Sequence, residues 1–163
     1  MFYLDLFRAL EQHKVRYLLV GGLAMNFHGV PRMTMDVDIV LALDPKNKDA
    51  FVDASRSLKL RPVAPVSLDD LFDPVKRRVW IDTKNMIVFA LRPDDASGPT
   101  VDILMDPVIE MEAAFSRAQS RDVQGVRIAL AAIDDLIRLK EHTGRAQDQA
   151  DVAHLRRIRG ISR

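Results

Sequence analysis

The chain contains no cysteine, which excludes disulfides and thiolate-held metal sites and fits a reducing compartment. It has no apolar run near the roughly 20 residues that a membrane-spanning helix needs. Its first residues read as an amphipathic helix with acids, not as a basic and then apolar signal segment, so the expected location is cytoplasmic with no membrane association. It also has little net charge, +1 over 163 residues, which by itself says nothing about nucleic acid. The distribution is less even: between Ile137 and Arg163 seven Lys/Arg stand against three Asp/Glu, a local +4. Repeats, low-complexity tracts and long linkers are absent, so residues 1–163 are expected to form one domain.

Present instead is the composition of an ordinary globular domain, 48% hydrophobic and 29% charged. The most informative stretch runs from Tyr17 to Leu41. It reads as a buried strand (Tyr17–Val20), a glycine pair (Gly21, Gly22), a short helix (Leu23–His28), a Gly29/Pro31 break and a second strand, Met35–Leu43. That strand carries Asp36 and Asp38, which the period of two places on one face, about 7 Å apart at the backbone. Two anions held side by side repel each other and call for a cation. A glycine pair where a strand passes into a helix suits a phosphate, because bare N–H groups and the helix dipole meet there.

Farther along, Asp44-Pro45 opens a helix to about Leu60, with Phe51, Val52, Ala54, Ser55 and Leu58 facing inward. Residues 61–74 read as a loop with one helical turn at Leu68–Phe72. Arg78–Leu91 reads as a hairpin of Val79–Ile81 and Met86–Ala90, and 92–99 as a turn-rich connection. Thr100–Met105 is a short strand with one carboxylate, Asp102, which needs a partner if buried. Asp106-Pro107 is expected to open a helix over Val108–Ala118. A small hairpin about Gly125 follows, then helices over Ala131–His142 and Arg145–Arg159, separated by Thr143-Gly144. The four histidines (His13, His28, His142, His154) show no ligand spacing and read as structural or surface residues. Met25, Met33 and Met35 read as core filler, and Arg156, Arg157 and Arg159 as a solvated helix face.

Gly21-Gly22, Arg32-x-Thr34-x-Asp36-x-Asp38 and the later Asp102 resemble the active-site signature of the DNA polymerase β-like nucleotidyltransferase superfamily. Asp135-Leu136-x-x-x-Lys140, Thr143-Gly144-Arg145 and Gln147-Asp148-x-x-Asp151 resemble its small bacterial branch, which includes AbiEii-type toxins and minimal nucleotidyltransferases. The family's frequent Gly-Ser is absent, since Leu23 follows Gly22. The resemblance implies an α/β (α+β) fold, a small mixed sheet flanked by helices, with a catalytic core over 1–105 and a helical element over 131–163 packed alongside.

It further implies an enzyme that moves a nucleotide from an NTP to an acceptor hydroxyl with Mg²⁺ or Mn²⁺. Asp36, Asp38 and Asp102 would hold the metal, with Asp102 as base; Gly21, Gly22, Arg32, Thr34, Lys140 and Arg145 would contact the nucleotide. RNA 3′ ends, protein hydroxyls and small alcohols such as aminoglycosides all fit as acceptor. The branch implies a toxin of a toxin–antitoxin or phage-defence pair with a cognate antitoxin. The alternatives are a catalytically degenerate nucleotide- or partner-binding module and a regulatory antitoxin partner. All three acid positions are filled, which favours the enzyme.

Overall fold

The apolar stripe of the N-terminal segment becomes α1 (Phe2–Gln12), with Leu6, Phe7, Ala9 and Leu10 buried. The computed structural model describes residues 2–95 and 98–161. Met1 of the expected first helix, Ala96 and Ser97 of the expected 92–99 connection, and the terminal Ser162 and Arg163 lie outside the described residues. The fully buried β1 (Tyr17–Val20) passes straight into α2 (Gly21–Phe27), so this helix begins on the glycine pair and not after it. β2 (Val37–Leu41) starts one residue after Asp36. Asp44 caps α3 (Pro45–Ser57) by accepting the Asn47 N–H at 2.9 Å, a contact worth about 1 kcal/mol. Asn47 itself is buried and fully used: it accepts from the Arg16 N–H at 2.7 Å and donates to the carbonyls of Arg16 and Ala42, which fixes α3 to the strand ends.

Next come β3 (Leu60–Pro62), the expected helical turn at Leu68–Phe72, α4 (Pro74–Lys84), β4 (Val88–Pro93) and β5 (Val101–Leu104). α5 (Met111–Arg117), β6 (Gln119–Val123), β7 (Val126–Leu130), α6 (Ile133–Thr143) and α7 (Ala146–Ile161) complete the chain. Gly144 ends α6 in a left-handed conformation (φ 65°), as the Thr143-Gly144 stop predicts.

Three expectations are corrected. Val79–Ile81 is helical, not a hairpin strand: Asp73 accepts from the N–H groups of Val75 and Lys76, Pro74 holds the first turn, and the hairpin's other half survives alone as β4. Asp106-Pro107 does not open a helix, because Asp106 turns to Arg78 (3.5 Å) and Glu110 provides the cap for α5. Met33 and Met35 are 99% and 75% exposed, so only Met25 of the three methionines fills core.

The strands form one mixed sheet in the order β3-β4-β5-β2-β1-β7-β6. β2 and β5 are parallel, whereas β1 and β4 flank them antiparallel. Alternation divides the sheet into two faces. One carries Tyr17, Leu19, Ile39, Ile103 and Phe89, and packs under the helices through Phe7 on Tyr17 (6.1 Å between centroids) and Trp80 on Phe89 (5.9 Å). The other carries Leu18, Val20, Asp38, Val40, Asp102 and Leu104, with Ala90 and Val88 beside the last two. A mixed sheet flanked by helices, with α6 and α7 packed on each other, is the expected fold class.

Candidate active site

Parallel pairing brings Asp38 and Asp102 together: they are register partners on β2 and β5, one strand spacing (about 4.8 Å) apart and on the same face. Asp36 joins them from the residue before β2. Thr100 links the outer two, its backbone N–H reaching Asp36 Oδ1 at 3.1 Å and its hydroxyl reaching Asp102 Oδ1 at 3.0 Å. This threonine was not singled out from the sequence. The signal was there, because Thr100-x-Asp102 repeats the spacing of Thr34-x-Asp36 at the start of the neighbouring strand.

The acids are electrostatically crowded. Burial, then the charges of Asp102 and Asp36, push Asp38 up to about 6, while Lys140 acts in the opposite sense. Burial raises Asp102 too, with Asp36 adding to it and the Thr100 hydroxyl opposing. Both shifts describe anionic charge that the protein's own groups leave only partly compensated.

The glycine pair lies against this cluster. Gly21 adopts φ +70°, and a β-carbon there would run into the Asp38 carboxylate. At Gly22 a β-carbon would come within 3.1 Å of Thr34, so each glycine is matched to one residue of the acidic segment. The first turn of α2 has no side-chain cap. Residues 30–36 are pinned from several sides: Arg32 N–H on Asn26 (2.7 Å), the Thr34 hydroxyl on the Asp36 carbonyl (3.2 Å) and the Tyr3 hydroxyl on the Met35 carbonyl (2.7 Å).

The C-terminal helices bring the remaining site residues. Asp148 and Asp151, one turn apart on α7, are both about 1% exposed. Asp151 accepts from Arg32 at 2.5–2.6 Å and from Gln147 at 3.1 Å, and lies 3.0 Å from Lys140. Asp148 accepts from the Thr143 hydroxyl at 2.6 Å and Arg145 at 2.8 Å, with Lys140 at 3.5 Å. Burial works to raise both carboxyls, yet the Arg145 and Thr143 bonds and the Lys140 charge hold Asp148 well below the usual range, and Arg32, Lys140 and Gln147 lower Asp151.

Lys140 turns inward onto α7. Its side chain is 15% exposed and bridges the two α7 acids, close enough to lower Asp38. Arg145 stays largely exposed and is tied back by Asp148. Asp135 of the same motif is also buried, but its partners are Arg117 (2.7 and 3.0 Å) and Arg138, so it ties α6 to the end of α5. His28 likewise is structural, with Nε2 at 2.8 Å from the Ala131 carbonyl.

Among the described residues no three His, Asp or Glu side chains already form a cation-holding group. Asp36 and Asp102 are instead turned onto Thr100. The chemistry of the set nevertheless fits a hard divalent ion: three carboxylates, no thiolate, and charge on Asp38 and Asp102 that a cation would relieve.

No protein-family model matches the chain, and no curated protein matches it in sequence. Solved structures do match. The lincosamide antibiotic adenylyltransferase LnuA, bound to lincomycin, superposes with a TM-score of 0.56 at 16% identity over 96% of this chain and 94% of that one. An antigenic nucleotidyltransferase-like protein from Paracoccidioides brasiliensis gives the same TM-score and identity over 97% of this chain and 76% of that one. The fold is that of the nucleotidyltransferases. Within it the pairing of Asp38 with Asp102 and the placement of Lys140 are features of this chain's own geometry.

Proposed function

We propose that the chain is a metal-dependent nucleotidyltransferase that moves a nucleotide from an NTP to an acceptor hydroxyl. The observation that carries this reading is the in-register pairing of Asp38 and Asp102, with Asp36 bridged to Asp102 through Thr100 and the Lys140 charge felt at Asp38. Asp36, Asp38 and Asp102 would hold Mg²⁺ or Mn²⁺, which when bound neutralises the triphosphate and acidifies the attacking hydroxyl.

The chain's own residues supply the rest. Gly21 and Gly22 keep the end of β1 close to the acids, on the side where the β- and γ-phosphates are to lie. Arg32, Lys140 and Arg145 are held by Asp148 and Asp151 and provide positive charge for the polyphosphate, with Thr34 packed at Gly22. The acceptor oxygen bonds to the α-phosphorus and the α–β phosphoanhydride bond breaks, its electron pair leaving with pyrophosphate. Asp102 takes the hydroxyl proton. The likeness of the 135–151 motif to AbiEii-type toxins extends the proposal to a toxin with a cognate antitoxin. Growth arrest on induced expression, absent for Asp38→Asn, tests that extension.

The direct test incubates the purified chain with each α-labelled NTP, Mg²⁺ or Mn²⁺, and a cell extract as the source of acceptors. Labelled product with the wild type and none with Asp38→Asn supports the reading. No product with any NTP, together with no thermal shift from NTP and Mg²⁺, overturns it.

A further inference from the structure

Two residues beyond Asp102 on the same strand face lies Leu104, about 7 Å away along β5. It lines a recess of about 240 Å³ together with apolar residues that include Ile81, Ile87, Val88, Val108 and Leu139, and with Asp106 and His142. Val88 is the register partner of Leu104, just as Ala90 is that of Asp102, so recess and acids share one continuous surface. We propose that this recess seats the apolar body of the acceptor, and that the acceptor is a small alcohol built on one ring and not a nucleic acid. The proposal rests on the nucleotidyl-transfer reading above and names the acceptor for that same site.

Three observations point to this occupant. First, displacement at phosphorus is in line, so acceptor and leaving pyrophosphate sit on opposite sides of the α-phosphorus. The cations that suit pyrophosphate are on the β1/β2 side: Lys140 projects toward Asp38 and α7, and Arg32 precedes β2. Leu139 and His142 project from the same helix toward β4 and β5. The hydroxyl must then arrive from the recess side.

Second, the size is that of a fragment. A dry cavity of about 150 Å³ holds benzene, so 240 Å³ takes one six-membered ring and leaves its substituents outside. A hydroxyl one or two bonds from such a ring is directed back along the strand toward Asp102.

Third, the charge is wrong for RNA. Among the described residues no lysine or arginine lines the recess, and its acidic lining residue, Asp106, is followed toward the site by Asp102 and Asp36. Arg78, which reaches the lining residue Asp106 at 3.5 Å, is also engaged by Asp82 (3.4 Å). A nucleic-acid 3′ end carries phosphates that need free cations. A neutral or amine-bearing alcohol meets no such penalty.

The test is a methyl-resolved NMR titration of the full chain with benzyl alcohol and, separately, with a short oligoribonucleotide, alongside thermal shifts with ATP and Mg²⁺. Expected are saturable benzyl alcohol shifts at Ile87, Val88, Leu104 and Leu139, none at Leu60 or Leu68, and no oligoribonucleotide shifts at these methyls. Ile87→Asp, on a side chain 69% exposed and therefore tolerant of change, should weaken the alcohol at least tenfold and leave the ATP thermal shift unchanged. Absence of saturable shifts at the recess, or oligoribonucleotide shifts there instead, overturns the proposal. If alcohol binds and no NTP gives a thermal shift, the nucleotidyl-transfer reading fails and the proposal that rests on it fails with it. If NTP shifts the melting and the alcohol does not bind, the acceptor proposal alone fails.

Discussion

Gly21 sits directly beneath Asp38: at φ +70°, a β-carbon on it would run into the Asp38 carboxylate. Two separable costs follow for Gly21→Ala, the left-handed conformation (about 1–2 kcal/mol) and the clash. The double variant Gly21→Ala/Asp38→Gly removes only the second. We expect Gly21→Ala to lower the melting temperature by several degrees and the double variant to recover part of it. Additive losses in this cycle would show that the two residues do not touch.

Asp38→Asn should abolish transfer and stabilise the fold. The wild-type carboxylate is half-buried among like charges, and an amide of the same shape removes the repulsion without opening a cavity. At pH 8 the expected gain is about 1–3 kcal/mol, read from denaturant unfolding without metal. Saturating Mg²⁺ should narrow the gap by stabilising only the wild type. A destabilised Asp38→Asn would mean that the acid is a structural partner and not a held charge.

The sequence made the acid-bearing strands easier to read than the elements that surround them. Alternation and Asp-x-Asp spacing located β2, and the isolated Asp102 located β5, because an acid in an apolar strand has few explanations. α4 was missed although Asp73-Pro74 repeats the capping device read correctly at Asp44-Pro45: the β-branched Val79 and Ile81 favoured strand, and burial of Trp80 against Phe89 outweighed that preference. Asp106-Pro107 misled in the opposite way, because a cap is defined by what its oxygen accepts and Asp106 faces Arg78. The inward turn of Lys140 is legible only through the family resemblance, which groups it with Asp148 and Asp151, and not from the pattern of its own helix. It depends on Asp148 and Asp151 of the next helix, and helix periodicity reports only a residue's own helix.

Asp148 and Asp151 should set the acid limit of stability. Both have depressed folded-state pKa values against an unfolded value near 4, so their contribution is complete above that value and disappears as pH falls through the folded values. The wild type should hold its melting temperature down to about pH 4 and then lose it steeply. Asp148→Asn should be less stable at pH 7, with a flatter slope below pH 4. Parallel acid limbs for the two proteins would show that Asp148 gains nothing from Arg145, Thr143 and Lys140.

Lys140 provides the last test, because its neighbours permit two roles. As a purely structural cation it neutralises Asp148 and Asp151, and its loss leaves Asp151 with Arg32 and Gln147 and Asp148 with Arg145 and Thr143. As a nucleotide ligand it shares its charge with the triphosphate, which its influence on Asp38 favours. Both roles predict some loss of stability in Lys140→Ala, so melting alone does not separate them. Binding of a non-hydrolysable NTP does. The ligand role predicts at least a tenfold loss at low salt, about 1.4 kcal/mol, that shrinks as added salt screens the charge. Glu141→Gln, on the adjacent side chain that pairs with Arg156, is the matched control and should leave affinity unchanged. Unchanged affinity in Lys140→Ala would leave the lysine a structural cation and remove α6 and α7 from contact with the nucleotide.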